Sequence, residues 1–160
     1  MTELWNWKID DRVTVAEVCS ALGDVLGLAV VPLSAADPAR LPHDAVVCDV
    51  WLRPGEFPTS VDCYGIPDGL PEMTVIASFA RRLGRPCLVA DDTLDPGRHL
   101  LVGSDGTIRP VHLDVTEDDD GDVLDNLRLC SAHDPLCRAW SQCHQSEWGP
   151  DSVVPALAAA

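Results

Sequence analysis

LPEMTVIASFARRLGRPCLVA, residues 70–90, reads as an amphipathic helix, a glycine stop and a buried strand. Val75, Ile76, Phe79, Ala80 and Leu83 recur at i, i+1, i+4, i+5 and i+8, which lines one helical stripe with apolar groups. Pro71 suits a first-turn position, where no amide partner is lost. Arg81, Arg82 and Arg85 gather at the C-terminal end, where cations complement the helix dipole. Gly84 can adopt the left-handed stop, and Pro86 prevents the helix resuming. Cys87 to Ala90 is then apolar without polar alternation, the pattern of a strand covered on both faces.

The same plan stands earlier in the chain. Thr14-Val15-Ala16-Glu17 is a capping box, with Val13 and Val18 placed as a hydrophobic staple. Leu22, Val25 and Leu26 continue one face, Gly27 stops the helix, and Leu28 to Leu33 follows as a strand. Two such helix–strand units suggest a pseudo-duplicated layout. Trp5 to Ile9, Ala45 to Leu52 and Phe57 to Tyr64 add strands, with Pro58 marking an edge or a late start. His99–Val102 and Thr107–Leu113 pair as a hairpin around Ser104-Asp105-Gly106, and Pro110 indicates an edge or bulge.

Asp134-Pro135 opens a C-terminal helix whose apolar face is Leu136, Ala139, Trp140 and Cys143, ended by Gly149-Pro150. The expected fold is therefore α+β: a mainly antiparallel sheet of six to seven strands, two helices on one face and a C-terminal helix. Residues 1–150 form a single acidic domain and residues 151–160 a flexible Ala-rich tail.

The chain has 160 residues, 26 acids against 11 Lys plus Arg, and a formal charge of −15. Such a surface disfavours nucleic acid and anionic membranes and favours a basic protein partner. There is no leader pattern and no apolar run long enough to span a bilayer, so the expected location is cytoplasmic. Seven cysteines, with no C-x-x-C, then read as reduced thiols.

Three constellations could carry chemistry. Asp114 to Asp125 is an acid run, but with Gly121 at loop position 6 an EF-hand would start at Thr116 and end at Leu127. Neither is the required ligand, so the run reads as a solvated loop. Cys130, His133, Cys137, Cys143 and His144 crowd together, yet their C-x2-H-x3-C-x5-C-H spacing departs from zinc-finger patterns. No metal or cofactor is expected; the alternative is zinc on Cys130, His133, Cys137 and His144. Cys63-Tyr64, His99, His112 and Asp91-Asp92 could form an acid–base or Cys–His site, but nothing in the sequence assembles them. His112, between Val111 and Leu113, reads as surface-facing. No nucleophile elbow, phosphate loop or H-E-x-x-H occurs, so the enzyme reading is secondary.

Trp5 and Trp7 share one face of their strand, as core or as a partner-binding anchor ringed by acids. WNWKID, TVAEVCSALGDVLGL, VVCDVWL and LGRPCLVADD together resemble bacterial immunity proteins of polymorphic toxin systems. That resemblance implies stoichiometric inhibition, with an acidic face docked over a basic toxin or effector. The candidate contacts are Asp91, Asp92, Asp95, Glu117, Asp118, Asp119, Asp120, Asp122, Trp5 and Trp7. A self-associating structural or regulatory subunit is the further alternative.

Overall fold

The computed structural model describes residues 2–91, 96–131, 133–140, 143 and 152–153. The order is β1 (Thr2–Ile9), α1 (Val15–Leu26), β2 (Val30–Pro32), β3 (Val46–Leu52), β4 (Thr59–Pro67), α2 (Glu72–Leu83), β5 (Cys87–Ala90), β6 (Arg98–Val102), β7 (Thr107–Asp118), β8 (Gly121–Leu129), α3 (Pro135–Ala139) and β9 (Ser152–Val153). A 3-10 turn, Leu33–Ala35, follows β2. The fold is α+β, as expected.

The sheet runs β2-β3-β4-β1-β5-β6-β7-β8, with β9 also on β7. All pairings are antiparallel except β2 with β3. Two strands exceed the expectation. One is β8, in the acid run; the other is β9, which places Ser152 and Val153 of the expected tail against Ile108 and Thr107. The Gly149-Pro150 stop and the rest of the 151–160 segment lie outside the described residues.

Both long helices form where their local signals place them, although Pro71 is the extended N-cap of α2 and not a first-turn residue. Thr14 and Glu17 close the capping box, and Gly27 takes φ 66° with its amide on the Gly23 carbonyl. Gly84 takes φ 75° and donates to Ala80. The two units are not equivalent, however: β2 ends the sheet, whereas β5 lies between β1 and β6. The dual cover read for β5 holds, since Cys87 and Val89 join one apolar cluster and Leu88 the other.

The helices cover one face. Trp5, Trp7, Ile9, Val61, Cys63, Val75, Ile76 and Phe79 meet there, and the Trp7 and Phe79 rings stand edge to face at 5.2 Å. Trp5 and Trp7 are only 3% and 1% exposed, which corrects their candidacy as an anchor for a partner. Strand alternation aims both at the helices, where ring burial is most favourable.

On the opposite face Phe57, Leu88, Val111, Leu113 and Leu124 form a second cluster. The sheet curls far enough for the β3–β4 turn to reach β8. Glu56 donates its amide to the Leu124 carbonyl at 3.0 Å, and Gly55 bridges to Leu124. A Cβ on Gly55, at φ 107°, would lie 2.7 Å from that carbonyl oxygen.

The acid run is hairpin, not loop. Glu117 faces Asp122 and Asp114 faces Asp125 across β7 and β8. Facing carboxylates repel. Cations offset this: Arg53 reaches Asp118 at 2.7 Å and Arg128 reaches Asp114 at 3.0 Å.

The C-terminal helix is shorter than expected and faces another way. Asp134 caps it by accepting from the Leu136 amide, and it ends at Ala139, before Trp140 and Cys143. Leu136 is 74% exposed while Cys137 is buried. A helix this short is oriented by its caps and by Cys137, not by an apolar stripe.

Candidate metal centre

His112 is placed by strand alternation, next to an irregularity in the sheet. It sits on β7 opposite Arg98 of β6 and Arg128 of β8, and the register shifts between His112 and Asp114. Ile108 belongs to the helix-side core, so alternation puts His112 on that same face. Pro110 falls in the gap between the β9 and β8 pairings, and its carbonyl accepts the Cys130 amide at 3.0 Å. That bond sets Cys130 beside His112.

The segment then turns back over the sheet. The Asp134 cap and Pro135 start α3 one turn before Cys137, which points inward. Cys143 follows after the helix; its amide donates to Trp140 at 3.1 Å and its carbonyl faces the Cys130 sulfur at 3.9 Å. His112 Nε2 lies 3.2 Å from Cys137 Sγ and 3.5 Å from Cys143 Sγ, and Cys130 Sγ lies 3.7 Å from Cys137 Sγ. The four ligand atoms of His112, Cys130, Cys137 and Cys143 all fall within 4.8 Å of one another.

The three shortest of these separations, 3.2, 3.5 and 3.7 Å, are close to the edges of a tetrahedral zinc site. Zinc bonds of about 2.3 Å to sulfur and about 2.0 Å to nitrogen give edges of about 3.8 Å between sulfurs and about 3.5 Å from sulfur to nitrogen. Three soft thiolates and an imidazole suit Zn²⁺, and with four protein ligands no position is left for a reacting water.

The electrostatics are consistent with a cation at the centre. Burial, then the neighbouring thiols, pushes Cys130 up to about 12, and burial also raises Cys143. Cys130 and Cys143 therefore hold their protons when no cation is bound, and metal binding would displace them. Arg98 stands beside the group and acts electrostatically on Cys130 and Cys143. It is itself paired with Asp91, both side chains being almost wholly buried. A guanidinium there offsets the negative charge left by three thiolates around one divalent cation.

The sequence reading placed some of these groups elsewhere. Cys130 and Cys137 belong to the group, but His133 is exposed and does not join them. His144 lies outside the described residues. His112, read as surface-facing, is half-buried and supplies the imidazole. Its one sequence signal was proximity to a proline that interrupts its strand.

Among the partner-binding candidates, Asp91 is a correction: its side chain is 4% exposed and held by Arg98, so it cannot meet a partner. Asp92 and Asp95 lie outside the described residues. Glu117, Asp118, Asp119, Asp120 and Asp122 are exposed around the β7–β8 turn. The Cys63–His99 pairing does not form, because Cys63 faces the helices while His99 alternates with Arg98 and Leu100 toward the other face. Cys19, Cys48 and Cys63 are buried core thiols whose neighbours and burial raise Cys19 and Cys48 far above the usual thiol range. Among the described residues no helix is long and apolar enough to cross a membrane. No family model, curated protein or solved structure matches the chain.

Proposed function

We propose that this chain is a zinc-binding protein whose metal, held by His112, Cys130, Cys137 and Cys143, fixes the C-terminal segment to the sheet. The convergence of the four ligand atoms within 4.8 Å carries this reading. The role is structural, because a shell closed by four protein ligands leaves no site for substrate. The test is elemental analysis of protein purified without chelator, with cobalt substitution. About one zinc per chain is expected, and cobalt should give the intense visible bands of a tetrahedral thiolate site. His112→Ala and Cys137→Ser should each lose most of the metal. Metal-free wild type that takes up neither ion, or a Cys130–Cys137 disulfide in its place, overturns the reading.

A second reading concerns what the folded domain does. Its charge of −15 and its exposed acidic hairpin tip favour a binding module for a basic protein, of the immunity or antitoxin type. On this reading the acids steer a basic toxin or effector into a stoichiometric, inhibitory complex. Association with such a partner should slow as salt rises. An on-rate insensitive to ionic strength refutes the steering.

A further inference from the structure

The face of β3 and β4 turned away from the helices carries an arrangement that the acidic hairpin lacks. Asp49 and Asp62 are direct cross-strand partners. Alternation puts Trp51, beyond Asp49, and Tyr64, beyond Asp62, on the same face. In the register Trp51 faces Ser60 and Tyr64 faces Val47, so one aromatic group flanks each side of the carboxylate pair. Trp51 is 41% and Tyr64 39% exposed.

Two facing carboxylates on a sheet repel and are retained at a cost. Asp62 accepts a short hydrogen bond from Asn6 Nδ2, and Lys8 lies close enough to feel its charge. The Asp49 carboxylate has no hydrogen bond or ion pair among the described residues. The pair is thus only half compensated, and exposed aromatics stand on either side of it.

We propose that this face docks an arginine-bearing segment of a basic partner protein, with the guanidinium between Asp49 and Asp62 and against Trp51 or Tyr64. The inference rests on the binding-module reading and gives that module its contact surface. A guanidinium is planar, donates in a fork to carboxylates and stacks on aromatic faces, so it meets every group present. A hard divalent cation would find too few oxygens here. A second copy of the chain would bring another −15 against the first and meet repulsion. Exposed tryptophan and tyrosine are also the residue types that dominate binding energy at interfaces.

The probes are an octa-arginine and an octa-lysine peptide, titrated into isotope-labelled, metal-loaded protein at low and physiological salt. Amide shifts report the site, and Trp51→Phe identifies the Trp51 signal in fluorescence. The arginine peptide should perturb Asp49, Trp51, Asp62 and Tyr64 and bind several-fold more tightly than the lysine peptide. Asp49→Asn with Asp62→Asn should weaken it about tenfold, and Trp51→Ala about threefold, with the melting temperature unchanged or raised. The triple change of Asp118, Asp119 and Asp120 to Asn should slow association but leave the mapped site in place. Shifts confined to the hairpin, or equal affinity for the two peptides, overturn this surface while leaving the acidic binding module standing. Failure of both peptides to bind even at low salt overturns the module itself.

Discussion

Truncating Phe79 to alanine tests the reading from which the fold was built. The ring is fully buried under α2 and meets Trp7 edge to face, 5.2 Å between centroids at 70°. Removing a large buried aromatic side chain costs about 3–5 kcal/mol, of which the aromatic pair accounts for about 0.5–1.5. Collapse into the space is limited, because Trp7 is held by its strand pairing with Val61 on β4, and Val75, Ile76 and Ala80 are fixed on the same helix. The loss should therefore fall in the upper half of that range, and the melting temperature should drop by roughly 8–20 °C.

Urea unfolding followed by far-ultraviolet circular dichroism measures it, with both proteins carrying the same metal content. The denaturant slope should stay constant, which shows that only stability changed. Leu136→Ala is the internal control: at 74% exposure it should shift stability by less than about 0.5 kcal/mol. A Phe79→Ala loss below about 1 kcal/mol would mean that α2 does not present this face to the sheet.

Gly55→Ala should destabilise by roughly 1–3 kcal/mol in the same assay, since both its φ of 107° and the carbonyl 2.7 Å from the new Cβ oppose it. Thr14→Ala should cost about 1 kcal/mol through loss of the capping box at α1. Asp118 is held below its ordinary 3.8 chiefly by the Arg53 hydrogen bond. That stabilisation is present above the unfolded value and is lost as pH falls through the folded one. The stability gap between wild type and Arg53→Gln should therefore be flat at neutral pH and narrow below about pH 4. Burial raises the Asp10 carboxyl, the opposite sign, so the folded state holds its proton more tightly and the ionised group disfavours folding at neutral pH. Asp10→Asn should be at least as stable as wild type at pH 7, with the advantage fading in acid; a clear loss at pH 7 refutes it.

Elements written in local signals were legible. The capping box at Thr14, the glycine stops at Gly27 and Gly84, and the hairpin at Ser104-Asp105-Gly106 each depend on residues within a turn of one another. Trp5 and Trp7 show where locality ends. Alternation puts them on one face, but only the packing of Phe79 decides that this face is inside. β8 was hidden for a different reason. Its strand pattern is diluted by aspartates, and what holds it is distant: Phe57 in one cluster with Leu124, the Glu56 amide on the Leu124 carbonyl and the Arg53 ion pair with the hairpin.

The candidate metal centre was half legible for the same physical reason. Cys130 and Cys137 lie near each other in the chain, so proximity singled them out, and it wrongly added His133. His112 belongs to a strand that looks ordinary between Val111 and Leu113; alternation from Ile108 aims it at the helix side, and only the fold brings the cysteines over it. Zinc spacing rules presume that neighbouring residues supply the ligands, whereas here one ligand comes from the sheet and three from the segment folded over it.

That division of ligands bears on why a metal would be useful here. The main core contains residues of β6 and β7 but none of β8, so α1 and α2 do not cover the whole helix-side face. Among the described residues the remaining cover comes from those that follow Leu129, whose helix is only five residues long and turns Leu136 to solvent. So short a helix is not stable by itself, and Cys137 is its only buried residue. Apolar burial is therefore a weak source of docking energy for this segment. Coordination by three of its cysteines and a histidine of the sheet would supply a few strong, directional bonds in place of many weak contacts. Chelation should then release the segment first, seen as rapid amide exchange at Cys130 and Cys137, while Trp7 and Phe79 stay protected in the main core. Equal exchange at Cys130 and Cys137 with and without metal would show that the segment is held by packing alone.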